Sequence, residues 1–96
     1  MPLFLLGQLV LFPKTSLPLH VFEPRYRLMI RRCLEGSHRF GVVPHLNNGL
    51  APIGCTAQIE NHYVFPDGRS LVATTGEKRF KIISLSEQDG YKVAKV

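Results

Sequence analysis

Two cysteines and four histidines are the residues of this 96-residue chain that could form a metal site or a nucleophilic centre. A structural zinc site needs clustered ligands, usually in two close pairs. Cys33 with His38, and Cys55 with His62, come nearest to such pairs, and both spacings are loose. Strand alternation would also put His62 on the face opposite Cys55. We therefore predict no metal site.

A cysteine nucleophile would need a histidine brought beside it by the fold. Cys33 falls on the apolar face of a predicted helix, and Cys55 falls on the inward face of a predicted strand. Because burial raises the pKa of a thiol, both side chains should be inert. Isolated thiols without a CxxC spacing are typical of a reducing compartment, so we expect free thiols and a cytoplasmic location.

Motifs of nucleotide-dependent and hydrolytic enzymes are missing from the sequence. There is no GxxxxGK[ST] or GxGxxG loop to hold phosphates, which excludes ATP hydrolysis by these residues. A GxSxG nucleophile elbow and an SxxK pair are missing as well. The seven carboxylates stand singly along the chain, and no acid–base pair is suggested. We predict a domain that is not an enzyme and holds no cofactor.

The arrangement of the basic residues bears on binding to acidic partners, because the formal net charge is +5. Two groups are visible: Arg25, Arg27, Arg31 and Arg32, and then Lys78, Arg79 and Lys81. At about 100° per residue, Arg25 and Arg32 flank one side of the apolar stripe of a helix. Arg27 and Arg31 lie beyond its other side. The arginines thus frame a half-buried helix, which does not favour nucleic acid as the partner.

Residues 24–34 carry the pattern of an amphipathic helix. Pro24 suits the first helical position, and Glu23 places negative charge beside the positive end of the helix dipole. Apolar side chains recur at i, i+3, i+4 and i+7, in Tyr26, Met29, Ile30 and Cys33. Gly36 follows directly, and we expect it to end the helix in the left-handed conformation.

Short strands are predicted on both sides of this helix. Extended segments joined at Pro13 and Pro18 precede it. The strands predicted after it are residues 40–43, 55–65, 70–75, 79–85 and 91–96. One helix among six or seven short, mostly antiparallel strands predicts a curled or barrel-like sheet.

Turn signals define how these strands connect. Pro66-Asp67-Gly68 predicts a tight turn that pairs residues 55–65 with 70–75 as a hairpin, and Asn47-Asn48-Gly49 predicts another turn. Within the hairpin, Cys55, Ala57 and Ile59 share the inward face. Tyr63 and Phe65 continue that face if the strand stays regular.

Length and composition bound the remaining possibilities. The chain is long enough for one domain, residues 1–96, and its apolar fraction of 45% is that of an ordinary globular protein. The apolar run in residues 3–12 is interrupted by Gly7-Gln8 and is far shorter than the roughly 20 residues that span a membrane. We expect no membrane partner.

One segment is specific enough to identify a family. Residues 18–30 read Pro-Leu-His-Val-Phe-Glu-Pro-Arg-Tyr-Arg-Leu-Met-Ile, which resembles the PLxxFEPRY hallmark of the Lon protease N-terminal domain. Further similar segments follow in order, at residues 40–43, 53–57, 66–69, 75–80 and 89–91. The resemblance covers nearly the whole chain. Residues 19–33 are most similar to the version of the domain found in RING-finger ubiquitin-ligase proteins.

The resemblance implies a mainly β, α+β fold of the PUA-like pseudo-barrel type. It also implies a non-catalytic role, because the ATPase and protease activities of Lon, or the RING finger of the ligases, lie in other domains. The family's N-terminal region usually continues into a helical second half, so residues 1–96 would be its β-rich first half. Four hallmark residues are expected in the core: Phe22, Tyr26, Met29 and Ile30.

We predict a recognition domain of a protein-degradation pathway, whose partners are unfolded or specific polypeptides and the other domains of its parent protein. Arg25, Tyr26 and Arg27, near the helix start, are the candidate contact residues, and a peptide strand could also add to an open sheet edge. Two alternatives remain. One is an RNA-binding PUA-like module, which needs the two basic groups to converge. The other is a structural or oligomerisation domain.

Overall fold

The computed structural model describes residues 1–7, 11–46 and 49–96 of the chain. One helix, α1 (Pro24–Glu35), lies among strands. The strands are β1 (Leu3–Leu6), β2 (Ser16–Val21), β3 (Arg39–Leu46), β4 (Gly49–Leu50), β5 (Ile53–Val64), β6 (Ser70–Lys81), β7 (Ser84–Gln88) and β8 (Tyr91–Lys95). The predicted mainly β fold with a single helix is confirmed for the described ranges. The predicted turn at Asn47-Asn48 lies outside them.

The strands form one six-stranded sheet and one hairpin. The sheet order is β1-β3-β5-β6-β2, with β4 paired to β3, and among the pairings of described strands only β1–β3 is parallel. The β7–β8 hairpin joins the outer side of β1, where Met1 and Ala94 exchange two backbone hydrogen bonds of 2.8 Å. No pairing between described strands joins β2 to this end. The sheet therefore curls as an open pseudo-barrel.

The long β5–β6 hairpin turns at Pro66-Asp67-Gly68, as predicted, and Gly68 has a φ of 91° that favours glycine. A register shift between Ile59 and Asn61 inserts an irregularity into β5. Beyond it, His62 pairs with a buried residue of β6, whereas Tyr63 is 57% exposed. The strand does not stay regular, so the condition under which Tyr63 and Phe65 would continue the inward face is not met, and the bulge reverses the alternation.

The same bulge corrects a second prediction. His62, expected on the face opposite Cys55, lies on the inward side of β5. The predicted separate strand 79–85 is also wrong. The strand β6 runs without a break through Lys81, and Ser84 begins β7. Within β6, Gly76 allows the backbone of Phe12 to approach closely, because a side chain there would collide with it.

The core lies between α1 and the concave side of the sheet. Tyr26, Met29, Ile30 and Cys33 of the helix pack there with apolar residues of β1, β3, β5 and β6. Phe22 does not join them, since it is 55% exposed, so its predicted core position is wrong. It follows the last residue of β2 and points away from the helix side.

The end of α1 also differs from the prediction. Gly36 has a φ of −125°, which is not left-handed, and its N–H donates to Cys33 O at 3.1 Å. The left-handed residue is His38, at a φ of 62°, whose N–H donates to the same carbonyl at 2.9 Å. None of the helical structure in the described ranges has the length and apolar character that crossing a bilayer requires.

Candidate binding surface

The two cysteines offer no reactive centre. Both are free and buried, as predicted. Burial raises the pKa of Cys33 to about 11 and also raises the pKa of Cys55. A thiol with a raised pKa carries little thiolate at neutral pH and is a poor nucleophile or metal ligand. Among the described residues, no group of three histidine, cysteine or acidic side chains could hold a metal ion.

The three predicted contact residues at the start of α1 have side chains in different places. Tyr26 is 4% exposed, its ring centroid is 4.3 Å from that of Phe4, and its hydroxyl accepts the N–H of Leu5 at 3.3 Å. Its side chain therefore belongs to the core. Arg25 is exposed, with its guanidinium 4.8 Å from the centroid of the Tyr26 ring. The ring of Tyr26 thus makes a cation–π contact with Arg25.

Arg25 and Arg27 face different turns. Arg25 also pairs with Glu23 at 3.2 Å, and its Cβ lies beside Gly90 in the β7–β8 turn. Arg27 lies across Gly68 in the β5–β6 turn, and its Nε donates to Phe22 O at 3.1 Å. The structure does not bring the two guanidinium groups together.

An exposed aromatic cluster lies at the end of the sheet near Arg27. We define it by His20, Phe22, Tyr63, Phe65 and Leu71. His20 pairs with Leu71, and Leu71 pairs with Tyr63, so three neighbouring strands place these side chains in one outward row. The ring centroid of His20 is 5.8 Å from that of Phe22 and 6.3 Å from that of Phe65.

Apolar residues of this size are unusual on a surface when they are contiguous. The four apolar members of the exposed aromatic cluster are 38% to 57% exposed. The hydrogen bond from Arg27 Nε to the backbone carbonyl of Phe22 ties the β2–α1 corner to the helix. Sequence reasoning missed the cluster, because it expected Phe22 in the core and Tyr63 and Phe65 on the inward face of a regular strand.

A groove lies between α1 and the β5–β6 hairpin, on the face of the hairpin opposite the exposed aromatic cluster. Its volume is about 450 Å³. We call it the helix–hairpin groove, and its lining includes Arg27, Leu28, Arg31, Leu34, His62 and Val64. The helical members recur at i, i+1, i+4 and i+7, which makes a second stripe beside the one that faces the core.

Ion pairs engage most of the carboxylates in the described part of the chain. The pairs are Arg25–Glu23, Arg32–Asp89, Arg39–Glu77, Arg69–Asp67 and Lys92–Glu87. Neither Arg27 nor Arg31 belongs to any of these five. Both therefore present their charge to the helix–hairpin groove without a carboxylate partner among the described residues.

In the second basic group, Arg79 has contacts separate from those of the helix residue Arg32. Arg79 lies over the ring of Phe12, with its guanidinium carbon 5.7 Å from the centroid. Arg32 is held 2.7 Å from Asp89 and donates to the hydroxyl of Tyr91 at 2.9 Å. These contacts take the arginines in different directions, so the convergence that RNA binding requires has no support in the observed contacts.

Comparisons with known proteins agree with this architecture. The family described as the ATP-dependent protease La (LON) substrate-binding domain matches residues 1–96. The chain is 27% identical to a Lon protease of Cytophaga hutchinsonii and 30% identical to one of Parabacteroides distasonis, over 100% and 99% of its length. It is 31% identical to protein cereblon of Xenopus tropicalis over 93% of its length.

Two solved structures share the fold. A Lon N-terminal domain protein from Xanthomonas campestris has a TM-score of 0.87 and 32% identity over 99% of the chain. The N-terminal domain of a Mycobacterium avium complex Lon protease has a TM-score of 0.76 at 18% identity over 95% of the chain, a likeness of fold alone.

The chain spans only part of these proteins. It covers 13%, 12% and 21% of the three curated relatives and 56% and 50% of the two solved chains. The family match nevertheless extends over residues 1–96. The chain therefore belongs to the family of Lon substrate-binding domains.

Proposed function

We propose that this domain binds unfolded segments of polypeptides on the exposed aromatic cluster and carries out no chemistry itself. The observation that carries the proposal is the outward row His20–Leu71–Tyr63 with Phe22 and Phe65 beside it. Aromatic side chains supply much of the energy at protein interfaces, because they bury large areas with few rotatable bonds. Unfolded segments expose the apolar side chains that would cover them.

The support beneath the cluster favours binding without rearrangement. Three hydrogen-bonded strands carry His20, Leu71 and Tyr63. Phe22 and Phe65 directly follow β2 and β5, and Arg27 holds the backbone carbonyl of Phe22. A surface that is already ordered loses less conformational entropy when a partner binds. Arg27 stands at the neighbouring helix start as a polar contact, whereas Arg25 lies beside Gly90 in the β7–β8 turn, over the core ring of Tyr26.

The parent protein is a separate part of the proposal. We propose that the domain selects substrates for a larger degradative protein, either a Lon-type ATP-dependent protease or a RING-finger ubiquitin ligase. The Lon relatives support the first, and the resemblance of residues 19–33 supports the second. Other domains of that protein would then supply catalysis.

Fluorescence anisotropy with a labelled, reduced and carboxymethylated protein that cannot refold tests the proposal. Saturable binding should persist at moderate salt, and the double variant F22S/F65S should bind about tenfold more weakly, which corresponds to about 1.4 kcal/mol. Ile83→Ser is the matched control, because Ile83 is also exposed but lies outside the cluster. Equal binding by F22S/F65S and the natural domain, or binding only to a labelled RNA, would contradict the proposal.

A further inference from the structure

The helix–hairpin groove combines free positive charge with an apolar floor. Val64 is 63% exposed and faces α1, and Leu28 and Leu34 lie half-buried opposite it. Val64 stands on the face of the hairpin opposite the exposed aromatic cluster, because successive residues of β5 alternate. A ligand in the groove would therefore not cover the aromatic side chains, although Arg27 borders both surfaces.

Arg27 and Arg31 form the charged side of this groove. They stand four residues apart on α1, so their Cα atoms are separated by about 6 Å along the helix axis. The Nε of Arg27 is held by Phe22 O at 3.1 Å, which orients its guanidinium before any ligand arrives. Because neither arginine enters an ion pair with a described residue, an incoming carboxylate would not have to displace one.

Asp67 is the acidic residue nearest to Arg27 in the turn, and it has its own partner. The Nε of Arg69 lies 2.6 Å from Asp67 Oδ2, and the backbone N–H of Arg69 donates to Oδ1 at 3.1 Å. These bonds, with a smaller contribution from the charge of Arg27, lower the pKa of Asp67. The carboxylate of Asp67 is thus engaged on the Arg69 side of the turn.

We propose that the helix–hairpin groove binds a polypeptide segment in which an apolar residue stands between two acidic residues. In an extended peptide, side chains two residues apart point the same way and lie about 6.6 Å apart, close to the spacing of Arg27 and Arg31. The apolar side chain between them points the other way, toward Val64. A single terminal carboxylate would supply one negative charge for the two arginines, whereas two acidic residues supply one for each.

The inference deepens the proposed function and rests on it, since it names a class of segment that the domain selects. Charge complementarity carries it, because two of the described lining residues, Arg27 and Arg31, are positively charged and none of them is acidic. The exposed aromatic cluster would hold apolar stretches, and the groove would add preference for stretches with flanking acidic residues. Two contacts on one chain raise the effective affinity of both.

A peptide with the core Glu-Leu-Glu tests the proposal, labelled at its N-terminal amine, amidated at its C-terminus and flanked by Gly-Ser. Anisotropy at low and moderate salt should show binding about tenfold tighter than that of the Gln-Leu-Gln peptide. Arg31→Glu should weaken it about tenfold, which corresponds to about 1.4 kcal/mol, because the variant replaces an ion pair with repulsion. A peptide in which one Glu is replaced by Lys should bind this variant better than the original peptide does.

Arg79→Glu is the matched control, because it makes the same change in net charge at a site that does not line the groove. Equal losses in R79E and R31E, equal binding of the Gln-Leu-Gln peptide, or binding only when the C-terminus is a free carboxylate would overturn the proposal. Phe65→Ser separates it from the proposed function. The proposal expects this variant to keep binding Glu-Leu-Glu while it binds the unfolded protein more weakly.

Discussion

Replacing Phe22 with serine should leave the domain almost as stable as before, although Phe22 belongs to the hallmark segment. Full burial of a phenylalanine side chain is worth roughly 1.5–3 kcal/mol. Phe22 is 55% exposed, so less than half of that contribution applies and the expected loss is about 1 kcal/mol. Met29, at 0% exposure, gives the contrast, because Met29→Ala should cost about 2–5 kcal/mol.

Urea unfolding followed by circular dichroism measures both variants. The slope of the free energy against urea concentration should match that of the natural domain for Phe22→Ser, because the compactness of the folded state is unchanged. Only the midpoint should move slightly. A loss for Phe22→Ser as large as that for Met29→Ala would refute the reasoning, since it would mean that the ring contributes to the core.

Two further predictions concern stability. Because the pKa of Cys33 is raised to about 11, the folded state favours the neutral thiol. The neutral thiol therefore contributes to the free energy of unfolding in full below the ordinary pKa of a cysteine, and this contribution is lost as pH rises through about 11. The free energy of unfolding should fall by roughly 2–3 kcal/mol more over that range in the natural domain than in Cys33→Ala. Gly68→Ala should lower stability by about 1 kcal/mol or more, because the φ of 91° is strained for alanine and the new Cβ would lie 2.9 Å from the Arg27 guanidinium.

The predictions for Cys33 and Gly68 have separate controls. Urea titrations at several pH values compare Cys33→Ala with the natural domain, and identical pH dependence would show that the thiol is not the cause. Thermal unfolding of Gly36→Ala is the reference for Gly68→Ala. Gly36 has a φ of −125°, and its nearest neighbour would be 3.6 Å from an added Cβ. A larger loss in Gly36→Ala than in Gly68→Ala would contradict the assignment of strain to the turn.

Local sequence patterns predicted the helix, the turn and the strand segment in which each face stays either buried or exposed along its whole length. The helix began at Pro24, as predicted, and its four-residue apolar stripe is buried. The turn at Pro66-Asp67-Gly68 was predicted by residue types that few other conformations accept. The inward face of Cys55, Ala57 and Ile59 followed from simple alternation and is confirmed.

The binding surface depends on features that such patterns do not show. The residue types of a strand do not show where a bulge will form. The sequence therefore does not reveal the reversal of side-chain alternation that exposes Tyr63 and Phe65. Hydrophobicity assigned Phe22 to the core, whereas its position depends on where β2 ends and α1 begins. The groove at Arg27 and Arg31 requires the hairpin to pass beside the helix. These are tertiary relations between distant segments.

The central claim is that polypeptides bind at the exposed aromatic cluster, and nuclear magnetic resonance tests it most directly. The isotopically labelled domain would be titrated with an unlabelled protein that cannot refold, while backbone amide shifts are followed. The account predicts that the largest shifts map to His20, Phe22, Tyr63, Phe65 and Leu71 and their strand neighbours. Shifts concentrated on the β7–β8 hairpin, or no shifts at a saturating concentration, would contradict it.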